Sequence, residues 1–225
     1  MTDSNARGRL IGALLLASLV AMVAGAAVVV PSGLSLSPAD PAGVLHAVRM
    51  QVGLHLAELA LDVLGWLGLF AAGLVVAAGS ARTYLEILAG GLLAGAGLAG
   101  LLHDGGNLAM TQLAARPAAP GVATVAFAVL LTAKWMVNLA GLLWVAATVA
   151  GAVGLAMPAW LRVVGVGAAV AGLVAVALPW TTGVGGPTVA LERVGYVLLL
   201  PIMIWYGILG WRYLAVRPGS AAGLG

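Results

Sequence analysis

Long apolar stretches, separated by short segments rich in proline, glycine and polar residues, run along the chain. Six of them contain the roughly 20 residues that a helix needs to cross about 30 Å of hydrocarbon. Inside hydrocarbon each backbone N–H and C=O must be hydrogen-bonded within its own segment, so runs of this length are predicted to be helical. The predicted spans cover residues 10–30, 52–79, 83–102, 122–157, 159–180 and 190–214. The pattern predicts an all-α integral membrane protein, a bundle of six transmembrane helices forming one domain over residues 10–214.

The first span also has features of a secretory signal. Arg7 and Arg9 precede it, and small residues at 24–26 lie near its end. Its apolar run of about 21 residues is longer than the roughly 7–15 residues of a signal-peptide core. We therefore interpret it as a membrane helix, with cleavage as the alternative.

The composition agrees with a membrane protein and excludes several other classes. Hydrophobic residues make up 63% of the 225 residues and charged residues only 8%, whereas soluble domains are about 45–50% apolar and about 25% charged. A soluble domain, a disordered chain and a nucleic-acid binder are therefore excluded, and the expected partner is the lipid bilayer. Cysteine is absent, which excludes disulfides, thiolate metal sites and cysteine nucleophiles.

The distribution of arginine predicts the orientation, because cytoplasmic loops are enriched in Lys and Arg. Six arginines fall on the side of the N-terminus, namely Arg7, Arg9, Arg82, Arg162, Arg212 and Arg217. Three fall on the other side, namely Arg49, Arg116 and Arg193. We therefore expect a multi-pass protein of a prokaryotic plasma membrane with cytoplasmic tails at residues 1–9 and 215–225.

Small residues recur at helical spacing within the spans. Gly91 and Gly95 form a small-xxx-small pair on the third span, and such pairs let helices approach closely. We interpret the pair as packing within the bundle, with a homo-oligomer contact through Gly91 and Gly95 as the alternative.

The second span carries the richest set of polar side chains. Charges inside spans are costly and usually face the bundle interior, so each is a functional hypothesis. At about 100° per residue these side chains fall within an arc of about 80° on one helix face. The set consists of Gln51, His55, Glu58, Asp62 and Trp66.

The fourth span supplies a complementary pair, because Lys134 and Asn138 are one helical turn apart. Counting about 20 residues from the cytoplasmic end of each span places both polar sets near the outer boundary of the hydrocarbon. His103 and Asp104 end the predicted third span on the same side, and Glu192 begins the sixth there. The ionisable side chains thus converge on one outer layer.

Three interpretations of this layer remain open. In the first, Lys134 pairs with Asp62 or Glu58 and Asn138 completes the hydrogen bonds, so that the polar cluster docks the second and fourth spans. In the second, Asp62 and Glu58 form the proton or ion site of a transporter or sensor. In the third, His55 and Glu58 share a metal such as zinc, with Asp62 one turn further along the helix and His103 from another span, in a structural or enzymatic site. Because no nucleophile, phosphate-loop or His-Glu-x-x-His motif is present, no catalytic residue and no cofactor is predicted.

Two local predictions concern the third span. Residues 103–107, His-Asp-Gly-Gly-Asn, have the composition of a polar turn that ends a helix. Glu86 lies four residues after Arg82, a spacing at which opposite charges pair on a helix.

Two short stretches resemble a known family. Residues 49–62 combine Arg49, an amphipathic entry and the pattern Glu58-Leu-Ala-Leu-Asp62, and residues 158–161 read Pro-Ala-Trp-Leu after the fourth span. Together these stretches resemble a bacterial family of six-helix membrane proteins catalogued as a domain of unknown function, number four-three-eight-six. The resemblance implies a six-helix topology and singles out Arg49 and Asp62, without implying an activity.

Overall fold

Seven α-helices and two short 3₁₀ segments form the regular structure of the described residues, which are 2–79, 83–116 and 121–215 in this computed structural model. The helices are α1 (Thr2–Val29), α2 (Pro41–Met50), α3 (Val52–Ala77), α4 (Tyr84–Ala114), α5 (Val122–Gly154), α6 (Ala159–Ala177) and α7 (Val189–Ala215). All of them except α2 are long and apolar enough to cross a membrane. The predicted all-α, six-helix membrane bundle is therefore confirmed.

The six long helices form a closed ring in chain order. Each packs mainly against its neighbours along the chain, and α7 closes the ring against α1. The ring encloses one large apolar core in which Trp144 of α5 contacts Trp66 of α3 and Tyr206 of α7, with ring centroids 5.9 Å apart in both pairs. Helix α1 belongs to this core through Ile11 and Leu15. Its first residue, Thr2, precedes the predicted start at residue 10.

Glycines bring α3 and α4 unusually close together. A Cβ added at Gly90 would lie 2.5 Å from the backbone N of Ala77 and 2.7 Å from the backbone O of Gly73. The neighbouring Gly91 faces open space, whereas a Cβ at Gly95 would lie 3.5 Å from Leu143 of α5. Gly95 thus takes part in the α4–α5 contact, and the homo-oligomer contact through Gly91 and Gly95 stays a prediction.

The amphipathic segment before the second span is a separate helix, α2. Asp40 caps its N-terminus by accepting a hydrogen bond from the Gly43 N–H at 2.9 Å. Near its other end, the Arg49 guanidinium donates to the carbonyls of Ala114 and Arg116, both at 2.6 Å. Arg49 therefore holds α2 against the C-terminus of α4, whose last carbonyls have no partner within the helix.

A second, smaller core lies between α2 and the ends of α4 and α5. It consists of Val44, Val48, Met110, Ala114, Ala126 and Leu130. Helix α2 has 10 residues, about 15 Å of helix, and is too short to cross the hydrocarbon. It forms a cap on one end of the ring.

The predicted turn at residues 103–107 is wrong, because α4 runs through this segment without a break to Ala114. Glycine in a helix costs about 1 kcal/mol relative to alanine, but tertiary packing overrides this preference. Gly106 faces α5, where an added Cβ would lie 3.0 Å from the Cβ of Ala133. The absence of a side chain there allows α4 and α5 to pack closely.

Some predictions involve residues outside those described. Arg82 and Arg217, which contribute to the orientation argument, lie outside the described residues. The predicted pair of Glu86 with Arg82 therefore stays a prediction. Glu86 itself forms a reciprocal cap with Thr83. The Thr83 N–H donates to Glu86 Oε2 at 3.1 Å, and the Glu86 N–H donates to Thr83 Oγ1 at 3.3 Å.

Candidate functional site

Three side chains that meet between α3 and α4 form the centre of the polar layer. Asp62 lies on α3, and His103 and Asp104 follow each other on α4. One ligand-capable atom from each of the three lies within 4.8 Å of the others. We call these three residues the acidic cluster. They meet because close packing of α3 against α4 brings facing positions of the two helices together.

Asp104 is the most deeply buried member of the acidic cluster. Asp104 is only 2% exposed, and neither of its carboxylate oxygens receives a hydrogen bond from a described N–H or hydroxyl group. The carboxyl of Asp62 lies within hydrogen-bonding reach, so the two acidic side chains can share a proton. Buried polar groups in proteins are almost always hydrogen-bonded, and a buried charge is costly unless it is paired. The acidic cluster therefore contains two carboxylates, and the oxygens of one of them, Asp104, have unused capacity to accept hydrogen bonds.

Hydrogen bonds hold the ring of His103 in a defined orientation. Its Nδ1 lies 2.8 Å from the carbonyl oxygen of Ala133 on α5. A carbonyl only accepts, so Nδ1 carries the proton and donates it. Its Nε2 lies 2.9 Å from Asn107 Nδ2 and accepts a hydrogen bond from that amide. This assignment follows from the partners around the ring.

Glu58 lies about one helical turn and His55 about two turns before Asp62 on α3, toward the cap. His55 is fully buried and its Nε2 donates to the backbone oxygen of Asn107 at 3.2 Å. Its Nδ1 lies 3.9 Å from Glu58 Oε2. Asn107 therefore links the two histidines, through its backbone oxygen to His55 and through its side chain to His103.

The predicted ion pair of Lys134 with Asp62 or Glu58 is wrong. Lys134 Nζ instead donates to Glu192 Oε2 of α7 at 2.9 Å. The predicted depth of Lys134 says nothing about the direction in which its side chain points around the ring. In the ring, α4 separates α3 from α5, and Lys134 reaches across to α7.

Asn138 also bonds to the side of the ring away from α3. Its Nδ2 donates to the carbonyl oxygen of Val176 at 3.0 Å, and its Oδ1 accepts from Trp180 Nε1 at 2.8 Å. Together with Lys134 it ties α5 to α6, to the following 3₁₀ segment and to α7. The predicted docking of the second and fourth spans through these charges is therefore corrected.

The predicted site residues thus fall into separate groups. Gln51 lies at the junction between α2 and α3. Of the residues in the predicted metal site, His103 and Asp62 belong to the ligand-capable group found among the described residues, whose third member is Asp104, whereas His55 and Glu58 do not. The predicted polar side chains do lie at a similar depth in the bundle, but their hydrogen-bond and ion-pair partners differ from the predicted ones.

A cavity of about 90 Å³ lies beside the acidic cluster, between α5, α6 and α7. Its polar wall is formed by His103, Lys134, Asn138, Glu192 and Tyr196, and the rest of its lining is mostly apolar. His103 belongs both to the acidic cluster and to the cavity wall. A small ion or molecule in the cavity is therefore adjacent to the cluster.

Sequence reasoning missed the roles of Asp104 and Asn107, because residues 103–107 were assigned to a turn. A helical assignment places His103 and Asn107 one turn apart on the same face, with Asp104 about 100° from His103. The signal for the site was present in the residue spacing and was lost with the secondary-structure assignment.

Comparison of the chain with models of protein families, with curated proteins and with solved structures finds no match. The resemblance to the six-helix family therefore stays a prediction. The fold defines a multi-pass membrane protein, and the argument for its function depends on the geometry of the site.

Proposed function

We propose that this multi-pass membrane protein is a cation transporter whose binding site is the acidic cluster. The observation that carries the proposal is the Asp104 carboxylate, which is buried among helices, lies beside Asp62, and receives no hydrogen bond from a described N–H or hydroxyl group. Ionisable groups within a membrane bundle commonly mark ion pathways and substrate sites. A positive charge bound between the two carboxylates would relieve their repulsion and satisfy the free oxygens.

The nearby lysine supports this assignment because it is already paired. The Nζ of Lys134 bonds to Glu192 at 2.9 Å, and the side chains of the two residues are only 10% and 17% exposed. A buried ion pair of this kind is costly to break. Lys134 is therefore engaged with Glu192, and an external cation is the natural partner for Asp62 and Asp104.

A purely structural role suits other parts of the polar layer better. Lys134 and Asn138 make direct hydrogen bonds to neighbouring helices, as a docking role requires. The contact of α3 with α4 is formed instead by glycines and by the apolar core. Asp104 lies within hydrogen-bonding reach of another acidic group, Asp62, and of no described N–H or hydroxyl group, and a buried pair of acidic groups is a costly way to dock two helices.

The cavity lies next to the acidic cluster. It borders His103, one member of the cluster, and is enclosed by α5, α6 and α7. With the orientation expected from the arginines, the cavity lies toward the outside of a prokaryotic plasma membrane.

Ion flux in proteoliposomes tests the proposal. We would reconstitute the full chain and follow uptake with dyes for Zn²⁺, Mn²⁺, Na⁺ and H⁺ under imposed gradients. Wild-type protein is expected to carry at least one of these ions. Asp104→Asn and Asp62→Asn are each expected to lower that flux at least tenfold while keeping the melting temperature within a few degrees.

Asp40→Asn is the matched control, because it is the same substitution outside the acidic cluster. Asp40 caps α2, and asparagine caps helices as well as aspartate does, so flux should be unchanged. Absence of flux for every ion in the wild type, or full flux in Asp104→Asn, would overturn the proposal. A large loss of melting temperature in Asp104→Asn with intact flux would instead favour the docking role.

A further inference from the structure

We infer that the acidic cluster is a site for a divalent transition metal, with zinc as the best match, ligated by Asp62, Asp104 and His103 Nε2. The inference rests on the proposed function for the place of the cation and adds the chemical class of that cation. It goes beyond the predicted metal site, because Asp104 was not part of that site and His55 and Glu58 are not ligands here.

The types of side chain in the acidic cluster indicate which metal ions fit it best. Zinc binds imidazole nitrogen and carboxylate oxygen at about 2.0–2.2 Å. Calcium and magnesium prefer sites made of oxygen alone and usually with more ligands. A site with one imidazole and two carboxylates therefore favours zinc and its neighbours in the first transition row.

The distances are close to those of a bound metal. Ligands about 2.1 Å from a tetrahedral metal lie about 3.4 Å from one another. In the acidic cluster the three ligand-capable atoms lie within 4.8 Å of each other. A decrease of at most about 1.4 Å in the distances between these atoms would complete the geometry.

His103 is already oriented as a metal-binding histidine would be. Such histidines donate their second ring N–H to a carbonyl or a carboxylate, which fixes the tautomer and directs the free nitrogen toward the metal. Here Nδ1 donates to the Ala133 carbonyl at 2.8 Å, so Nε2 carries the lone pair. The only hydrogen bond that a metal would replace at His103 is the one from the Asn107 amide.

Asp104 supplies the independent observation. A metal at the acidic cluster would occupy oxygens that receive no hydrogen bond from any described N–H or hydroxyl group, so binding there displaces at most a proton shared with Asp62. This explains why a carboxylate is placed at a position that is only 2% exposed. A leucine or an asparagine would be less costly there if no cation were bound.

Three protein ligands leave one tetrahedral position open. Structural zinc sites are usually closed by four protein ligands, whereas sites that exchange or act on a ligand keep an open position. His103 also borders the cavity, so the proposed site lies beside a space that can hold a water or an incoming anion. The ligand count therefore agrees with a metal that enters and leaves.

Cobalt binding tests the inference directly. The full chain would be purified without a histidine tag, stripped with a chelator, placed in nanodiscs and titrated with Co²⁺. We expect visible absorption bands that saturate at one Co²⁺ per chain and disappear on addition of Zn²⁺. Asp104→Asn and His103→Gln are each expected to weaken binding at least tenfold, as is Asp62→Asn.

His46→Gln and Asp40→Asn are the matched controls, since both residues lie outside the acidic cluster. Binding in them should equal that of the wild type, and melting curves would show that each variant is folded. Absence of cobalt bands in the folded wild type, or unchanged bands in folded Asp104→Asn and His103→Gln, overturns the inference.

The two proposals fail in different ways. If flux of Na⁺ or H⁺ depends on Asp104 while Co²⁺ and Zn²⁺ do not bind, the metal inference is wrong and the transporter proposal holds. If Co²⁺ binds through the acidic cluster and no ion is transported, the site is a metal site in a protein that is not a transporter.

Discussion

Two adjacent glycines on α4 allow the helix packing to be tested with one chemical change. Gly90→Ala places a methyl group 2.5 Å from the backbone N of Ala77, whereas ordinary contacts begin at about 3.4 Å. The helices must therefore separate by about 0.9 Å, because a backbone atom cannot rotate away as a side chain can. Overpacking of this kind costs about 1–3 kcal/mol, and we expect the upper half of that range.

Gly91→Ala is the control, because nothing lies within 4 Å of the added methyl group. Alanine is a better helix former than glycine by up to about 1 kcal/mol, so this variant should be as stable as the wild type or slightly more stable. The free energy of unfolding would be measured by titration with dodecyl sulfate in mixed micelles. Equal stabilities for the two variants would refute the close approach of α3 and α4.

Three further predictions concern the polar layer, the cap and the orientation. Lys134→Gln and Glu192→Gln should each destabilise the protein by about 1–3 kcal/mol, between the values for exposed and buried pairs, and the double variant should cost less than their sum; additive costs would contradict the pair. Arg49→Gln should speed proteolysis near α2 and leave the ring of six long helices intact. If α2 and the ring instead unfold together in one cooperative step, the cap is not a separate unit. Because the chain has no cysteine, an impermeant maleimide on intact cells should label Ala39→Cys and not Ala156→Cys, and the opposite result would reverse the orientation.

The fold was largely predictable, because spanning helices must satisfy their own backbone and therefore depend on length and hydrophobicity alone. The end of α4 was the main exception. Residues 103–107 contain two glycines and three polar residues, which is typical of a turn in water. Packing of Gly106 against α5 and burial of Asp104 outweigh that preference, and neither is visible in local sequence.

The candidate site was predictable in depth but not in its bonding. Counting residues placed Asp62, Lys134 and Asn138 in one layer, since rise along a helix is regular. The direction of each side chain depends on which helices are neighbours. The ring order puts α4 between α3 and α5, so Lys134 reaches Glu192 and leaves Asp62 to meet Asp104.

The cap gives this protein a surface outside the lipid to which a soluble molecule can bind. Helix α5 has 33 residues, a rod of about 50 Å, which exceeds the thickness of the hydrocarbon by about 20 Å. Since the short helix α2 and its apolar core sit at the end where α4 finishes and α5 begins, we expect the excess length to project there. An antibody fragment raised against this rigid projection would hold the protein without displacing lipid and would add the external mass that electron microscopy of so small a membrane protein needs.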